Sequence, residues 1–213
     1  MVVDPKRGEG FNYMAREKGP KCRLCRREGT KLFLKGIKCE SEKCTLNKRP
    51  QAPGQHGNSR KKLSEFGQQL REKQKAKRIY GILEKQFNKY VHTALKTKGV
   101  TGEALLQKLE SRFDNLVYRS GFAVSRGQAR QLIRSGFFTV NDKVVTIPSY
   151  QVGVGDVVKP VDFGKIHLRE GFLLPEWIGA NVKDRFIKVD RLPTLEDLTE
   201  SINVQLIIEY YSR

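Results

Sequence analysis

The residues in this sequence best suited to chemistry are four cysteines near the amino terminus. Cys22, Cys25, Cys39 and Cys44 follow the spacing C-x2-C-x13-C-x4-C. Two short-spaced pairs separated by about a dozen residues are typical of a tetrahedral thiolate site, to which each pair contributes two ligands. The lysines and arginines around them are expected to lower the pKa of the thiols and favour the thiolate. The pattern predicts a closed, structural metal site.

Zinc is the expected metal, with an iron–sulfur cluster as the alternative, because four thiolates can hold either. Two disulfides would also account for four cysteines. Disulfides are typical of small secreted domains, whereas this sequence opens with no basic-then-apolar leader. A metal is therefore the preferred interpretation. It would fold a segment that is too small and too charged to build a core of its own.

A second group of chemically suited residues is a series of arginines. Residues 111–135 contain five arginines and one acid, Asp114. Arg126, Arg130 and Arg134 recur every four residues, so we expect them to form a ridge along the outside of one helix. A merely solvated helix usually mixes charge signs, whereas an all-arginine face suits phosphate, which the guanidinium fork bonds bidentately. The ridge indicates a nucleic-acid partner.

The candidate RNA contacts are lysines and arginines in strongly basic stretches of both halves of the chain. In the second half they are Arg112, Arg126, Arg130 and Arg134. In the first half they are Arg26, Arg27, Arg49, Arg60, Lys61, Lys62, Arg71, Lys73, Lys77 and Arg78. Such side chains bind phosphates, so RNA binding should weaken steeply with salt. Structured RNA would be recognised by its backbone geometry and its splayed bases.

The overall charge supports the same conclusion. The 213 residues carry a net charge of +18, with a pI near 9.9. Residues 1–110 hold 27 Lys and Arg against 11 Asp and Glu, and the remainder holds 14 against 12. Such an excess repels itself unless a polyanion neutralises it. No apolar run is long enough to span a bilayer, which takes about 18 residues, so we expect a soluble, unsecreted protein that binds no membrane.

The elements that must hold these side chains are mostly helical. Residues 62–90 read as helical with Ser64 as the N-cap, and residues 101–109 as one more helix. Tyr80, Phe87 and Tyr90 in this region are assigned to the core rather than to base stacking. Ser125 with Gln128 three positions later predicts the start of the helix that carries the ridge.

Two β-rich runs, 137–140 and 143–147, follow that helix. They are joined by Asn141 and Asp142, which both tolerate positive φ, so a tight hairpin is predicted. A third run spans residues 150–158, and Trp177 is assigned to packing. Near the carboxy terminus the sequence LIIEYY reads as a further β-rich run.

These features resemble one protein family. Residues 111–143 resemble a small RNA-binding module that also occurs in pseudouridine synthases and tyrosyl-tRNA synthetases. The four-cysteine spacing, LREKQKAKRIYG at 70–81 and the ending LIIEYYSR occur with this module in the order found in small-subunit ribosomal protein S-four. The sequence is therefore identified as a member of the bacterial S-four family in its zinc-binding, four-cysteine form. Asp142 departs from the family's turn glycine.

The resemblance implies an α+β, mostly helical fold. Residues 1–13 would be a flexible extension, or the result of a misplaced start. Residues 14–110 would form a basic metal-knuckle and helical domain, and residues 111–175 a two-helix and β-hairpin RNA-binding module with its connection. Residues 176–213 would return to the helical domain.

The resemblance also implies a function. It predicts a cytoplasmic, non-enzymatic constituent of the small ribosomal subunit that binds small-subunit rRNA, nucleates assembly of the subunit body and contributes to decoding accuracy. Expected partners are rRNA, ribosomal protein S-five and mRNA near the channel by which it enters. Some relatives repress their own message, and no homo-oligomer is expected.

Two other functions would use the same module. An RNA-modifying enzyme would need a separate catalytic domain, but only about 55 residues follow the module, with no phosphate loop or nucleophile–base pair. A free-standing RNA-binding regulator needs no further chemistry. Only its association with ribosomal subunits would distinguish it from a ribosomal protein.

Overall fold

The structure is a computed structural model that describes residues 19–58, 62–162, 164, 166, 169, 171–181, 186–197 and 200–212. The predicted extension at 1–13 and the candidate RNA contacts Arg60 and Lys61 lie outside the described residues. The helices are α1 (Lys21–Glu28), α2 (Ile37–Glu40), α3 (Thr45–Lys48), α4 (Glu65–Ile79), α5 (Glu84–Lys96), α6 (Thr101–Glu110), α7 (Phe113–Arg119), α8 (Arg126–Arg134) and α9 (Val204–Tyr211). The strands are β1 (Phe138–Val140), β2 (Lys143–Val144), β3 (Val157–Pro160), β4 (Ile178–Asn181) and β5 (Phe186–Val189).

The first part of the chain is a helical domain. Its core includes Tyr80, Phe87 and Tyr90, all buried as predicted. Ser64 caps α4 by accepting a hydrogen bond from the Gly67 N–H at 3.2 Å, which confirms the predicted N-cap. The helical region assigned to residues 62–90 is divided into α4 and α5, because the chain turns at residues 80–83 and Gly81 adopts a φ of +61°.

The last helix, α9, completes this domain. It packs along α4, where the Gln69 side-chain amide donates to the Glu209 carboxylate at 3.1 Å. The prediction of a β-rich run here is wrong. Asn203 caps the segment by accepting from the Leu206 N–H, and Ile207 is buried in the helical core. A short apolar run fits a strand or a buried helix, and here the cap and the packing favour the helix.

The second part is the predicted module of two helices and a hairpin. Ser125 accepts a hydrogen bond from the Gln128 N–H at 3.2 Å, so α8 begins where the capping signature placed it. Asn141 and Asp142 have φ values of +49° and +62°, and Val140 pairs with Lys143. The predicted two-residue hairpin is therefore confirmed.

The sheet of this module is larger than the sequence indicated. It is antiparallel, with the strand order β2-β1-β3-β5-β4 among the described residues. The hairpin of β4 and β5 pairs with β3, and Trp177, which is 1% exposed, packs in the same core. Trp177, β4 and β5 thus belong to the module, whereas residues 176–213 were predicted to return to the helical domain. Among the described residues, Leu195–Asp197, Ile202 and α9 do pack on that domain.

The helices are short compared with the thickness of a lipid bilayer. The helix α4 has 15 residues, and within the described ranges no helix is long and apolar enough to cross a membrane.

Candidate nucleic-acid interface

The four cysteines come together in the amino-terminal segment. Cys22 and Cys25 lie three residues apart on α1, Cys39 lies in α2, and Cys44 immediately precedes α3. All four line one small cavity and are free thiols. The Lys35 N–H donates a hydrogen bond to the Cys39 sulfur at 3.3 Å. Backbone amides directed at sulfur are the kind of outer-shell contact that supports a thiolate ligand.

The surroundings of two of these thiols favour the protonated form. Burial raises the pKa of Cys25 and of Cys39, and the neighbouring cysteines raise it further, despite backbone hydrogen bonds that lower it. The prediction that nearby cations lower these pKa values is therefore wrong for these two thiols. Among the described residues, no three His, Cys, Asp or Glu side chains are drawn close enough to form a completed metal site.

The donor set nevertheless fits a structural metal. Four sulfur atoms around one cavity match the ligand number of a four-cysteine site, and burial would exclude water from it. Zinc bound there would supply a cross-link between α1, α2 and α3 and would displace the thiol protons.

The arginine ridge differs from its prediction. Arg126 is only 7% exposed, its Nε donates to the Asn115 side chain at 2.8 Å, and its Nη2 lies 2.6 Å from a Glu200 oxygen. Arg112 is 3% exposed and forms a bidentate pair with Asp114. An outward-facing ridge is therefore wrong for Arg126, and neither guanidinium is presented to a phosphate. Of the predicted ridge, Arg134 is exposed.

The buried arginines form a network that joins distant parts of the chain. Glu110, 2% exposed, receives two hydrogen bonds from Arg119, and Arg119 also pairs with Glu200. Burial alone would raise the pKa of Glu200, but the charges of Arg126 and Arg119 outweigh it and lower the pKa to about 2. Local spacing gives no sign of this network, because Glu200, which pairs with Arg126, lies 74 residues further along the chain.

The basic helix α4 also turns some of its cations inward. Lys73 is 4% exposed and its amine lies 2.6 Å from a Glu84 oxygen, with the Tyr210 ring beneath it at 4.6 Å. Arg71 and Arg78 both pair with Glu28 on α1. Three of the candidate RNA contacts on this helix therefore form ion pairs within the protein. They do so because α4 lies between α1 and α9.

A cleft lies where residues 19–58, here called the cysteine segment, meet the end of α4 and the start of α8. It encloses about 450 Å³. The cations that line it are Lys21, Lys77, Arg78, Arg126 and Arg130, and no carboxylate is among the described residues that line it. Arg130 crosses from the module and donates to the carbonyl oxygens of Gly81 and Tyr80 at 2.7 and 3.0 Å. The cleft therefore unites cations that the sequence placed in three separate stretches.

The remaining candidate RNA contacts lie on the surface. Arg27, Arg49 and Lys62 are exposed, and Arg26 is half-buried with its Nε donating to the Gln51 carbonyl at 2.8 Å. Exposed guanidinium and ammonium groups of this kind can bind phosphates of a nucleic-acid backbone.

Comparison with known proteins agrees with this architecture. Residues 16–110 match the family described as "Ribosomal protein S4/S9 N-terminal domain", and residues 111–158 match the S4 domain. Small ribosomal subunit protein uS4 of Dictyoglomus thermophilum is 53% identical over 206 residues, which cover 94% of this chain and 100% of that protein. The chain belongs to the uS4 family. Relatives of the same name from Thermodesulfovibrio yellowstonii and Caldicellulosiruptor saccharolyticus are 51% and 53% identical over 208 residues, with the same coverage.

Membership of the uS4 family confirms the family drawn from the sequence, while its zinc-binding, four-cysteine form stays a prediction. The relatives carry the names of ribosomal proteins and not of enzymes. The interpretation as an RNA-modifying enzyme is therefore set aside.

Proposed function

We propose that this protein is a structural constituent of the small ribosomal subunit and a primary binder of its rRNA. The cleft carries the proposal: Lys21, Lys77, Arg78 and Arg130, from three parts of the chain, line it beside the inward-facing Arg126, and no carboxylate is among the described lining residues. Such a surface suits the phosphate backbone of a folded RNA. The names of relatives about 53% identical over nearly the whole chain support the ribosomal setting.

The proposal includes the finer role implied by the family. The protein nucleates assembly of the subunit body in the cytoplasm, lies near ribosomal protein S-five and the channel by which mRNA enters, and contributes to decoding accuracy. Repression of its own message would follow if the messenger folds into a similar RNA surface. It acts as a single copy and not as a homo-oligomer.

We also propose that the four cysteines hold one zinc ion, with an iron–sulfur cluster as the alternative. The support is that all four thiols line one cavity in the segment that forms a wall of the cleft. The metal is structural, because four thiolates leave no position open for a substrate.

Co-sedimentation with small subunits tests the proposed function. We expect the tagged protein to remain in the small-subunit fraction after a high-salt wash, and the purified protein to bind small-subunit rRNA. A protein that leaves the subunit on washing, yet still binds RNA, would instead be a free-standing regulator. A folded protein that ignores rRNA at low ionic strength would contradict both functions.

A further inference from the structure

Phe33 has a backbone conformation that its side chain does not favour. Its φ is +49°, in the left-handed region where a bulky residue is an outlier. Residues held in such conformations cluster at binding and active sites, where the surrounding structure maintains the strain. Phe33 is also 38% exposed, so its ring is not accounted for by burial in the core.

The chain on both sides of Phe33 is firmly held. Leu32 is 2% exposed, and Leu34 packs against the same helical core. The Lys35 N–H bonds the Cys39 sulfur. Gly36 lies against the module so closely that an added Cβ would come within 2.6 Å of the Val124 carbonyl oxygen. These contacts fix the backbone and direct the Phe33 ring to the surface.

Phe33 lines two cavities. One is the cleft of about 450 Å³, and the other, of about 350 Å³, is lined by Lys31, Arg169 and Glu200 among others. The half-exposed rings of Phe66 and Tyr150 pack on Tyr210 and on Phe113, with centroids 5.6 and 6.5 Å apart. Within the described part of the chain, the ring–ring contacts include none made by Phe33.

We propose that Phe33 stacks on an unpaired base of the small-subunit rRNA. The inference rests on the proposed function and identifies which feature of the RNA the cleft recognises. Proteins that bind unpaired nucleotides combine a cationic groove for the backbone with an aromatic side chain for the base. Here Lys77 and Arg130 line the same cleft as Phe33. A ring fixed by a strained backbone stacks without first being ordered.

Affinity for small-subunit rRNA tests the proposal. Replacing one stacking aromatic with alanine lowers affinity by about 5- to 150-fold, and we expect this loss for Phe33→Ala. Phe33→Leu should also lose affinity, because it keeps the volume but not the ring, whereas Phe33→Tyr should retain it. The slope of log K against log salt should stay unchanged in all three, because stacking releases no counterions. Phe66→Ala is the control, because Phe66 is a half-exposed phenylalanine whose ring already packs on Tyr210.

Phe33→Gly separates binding from folding. Glycine adopts positive φ without strain, so its thermal unfolding temperature should match or exceed that of Phe33→Ala while its rRNA affinity stays low. Wild-type affinity in Phe33→Leu, or equal losses in Phe33→Tyr and Phe33→Ala, would overturn the stacking role while leaving rRNA binding intact. Failure of the wild-type protein itself to bind rRNA would instead refute the proposed function.

Discussion

Glu200 shows how a single half-buried carboxylate can join three segments. It accepts hydrogen bonds from Arg119 on α7 and Arg126 at the start of α8, and it belongs to the chain that leads into α9. Removing one partner of a buried ion pair leaves an uncompensated charge. The network therefore holds the module against the segment that precedes α9 and fixes the wall of the cleft.

The pH dependence of unfolding should report this carboxylate. Because the folded-state pKa of Glu200 is lowered to about 2, its stabilisation is present above the unfolded pKa near 4.5 and is lost as the pH falls towards 2. We expect the free energy of unfolding of the wild type to fall by about 3 kcal/mol more over this range than that of Glu200→Gln. Chemical denaturation at several pH values measures this difference.

The control for that measurement is Glu42→Gln, which changes an exposed carboxylate of the cysteine segment. It should leave the pH profile as in the wild type. Equal acid sensitivity in Glu200→Gln and the wild type would show that Glu200 does not contribute the pH-dependent stability.

At the residue scale the sequence revealed the cations but not their partners. The spacing of Arg126, Arg130 and Arg134 correctly indicated a helix, yet it could not show that Arg126 faces inward. That depends on Glu200 and Asn115, which reach it through tertiary packing. The strain at Phe33 has no sequence signal, because it arises from contacts of its neighbours on both sides.

Among the elements, those with local chemistry were predictable and those that depend on packing were not. Ser64 and Ser125 marked the starts of α4 and α8, and Asn141-Asp142 marked the hairpin. The nature of α9 and the pairing of β5 with β3 depend on distant partners. A short apolar run by itself cannot distinguish these outcomes.

The folding of the cysteine segment, residues 19–58, should depend on the proposed metal ion. Its helices α2 and α3 have four residues each, too few to be stable alone. We expect protein purified without added zinc to contain about one equivalent of zinc by elemental analysis. A strong chelator should abolish amide-exchange protection at Cys39 and Lys35.

The chelation experiment has two controls, an internal reference and a cysteine variant. Amides of β1, such as Thr139, should keep their protection as an internal reference, and Cys39→Ser should reproduce the effect of the chelator. Iron with sulfide in place of zinc would establish the cluster instead. Unchanged protection after chelation would contradict a structural metal.

On the scale of the whole molecule, the positive charge is divided between internal pairs and an exposed surface. Arg112, Arg119 and Arg126 serve the interior, while Arg27 and Arg49 are exposed on the cysteine segment. Of the described cations, those on the exposed surface and those that line the cleft remain available to phosphate. The lopsided charge was evident from the sequence, but this division needed the fold.

Salt dependence should distinguish the two groups. Replacing Arg27, Arg49 and Arg134 together with glutamine should weaken rRNA binding and lower the slope of log K against log salt by up to about 0.9 for each lost phosphate contact. Filter binding over a range of salt concentrations measures the slope. The control replaces Lys159 and Lys188, which already have carboxylate partners. Their Nζ atoms lie 3.0 Å from an Asp142 oxygen and 3.8 Å from an Asp190 oxygen, respectively. An identical slope in both variants would exclude the exposed arginines as phosphate contacts.

The position of α9 affects the order in which the two parts of this protein can fold during synthesis. Ile207 fills a core whose other fully buried residues lie before residue 110, and Gln69 bonds Glu209 across 140 residues of chain. We expect the module, whose strands lie close together in sequence, to fold during synthesis before the helical domain, whose core is completed only when α9 has been made. A ribosome that stalls before Ile207 would thus release a chain whose first-made domain has an incomplete core. The unfolded part would then lie far in sequence from the residues that are missing.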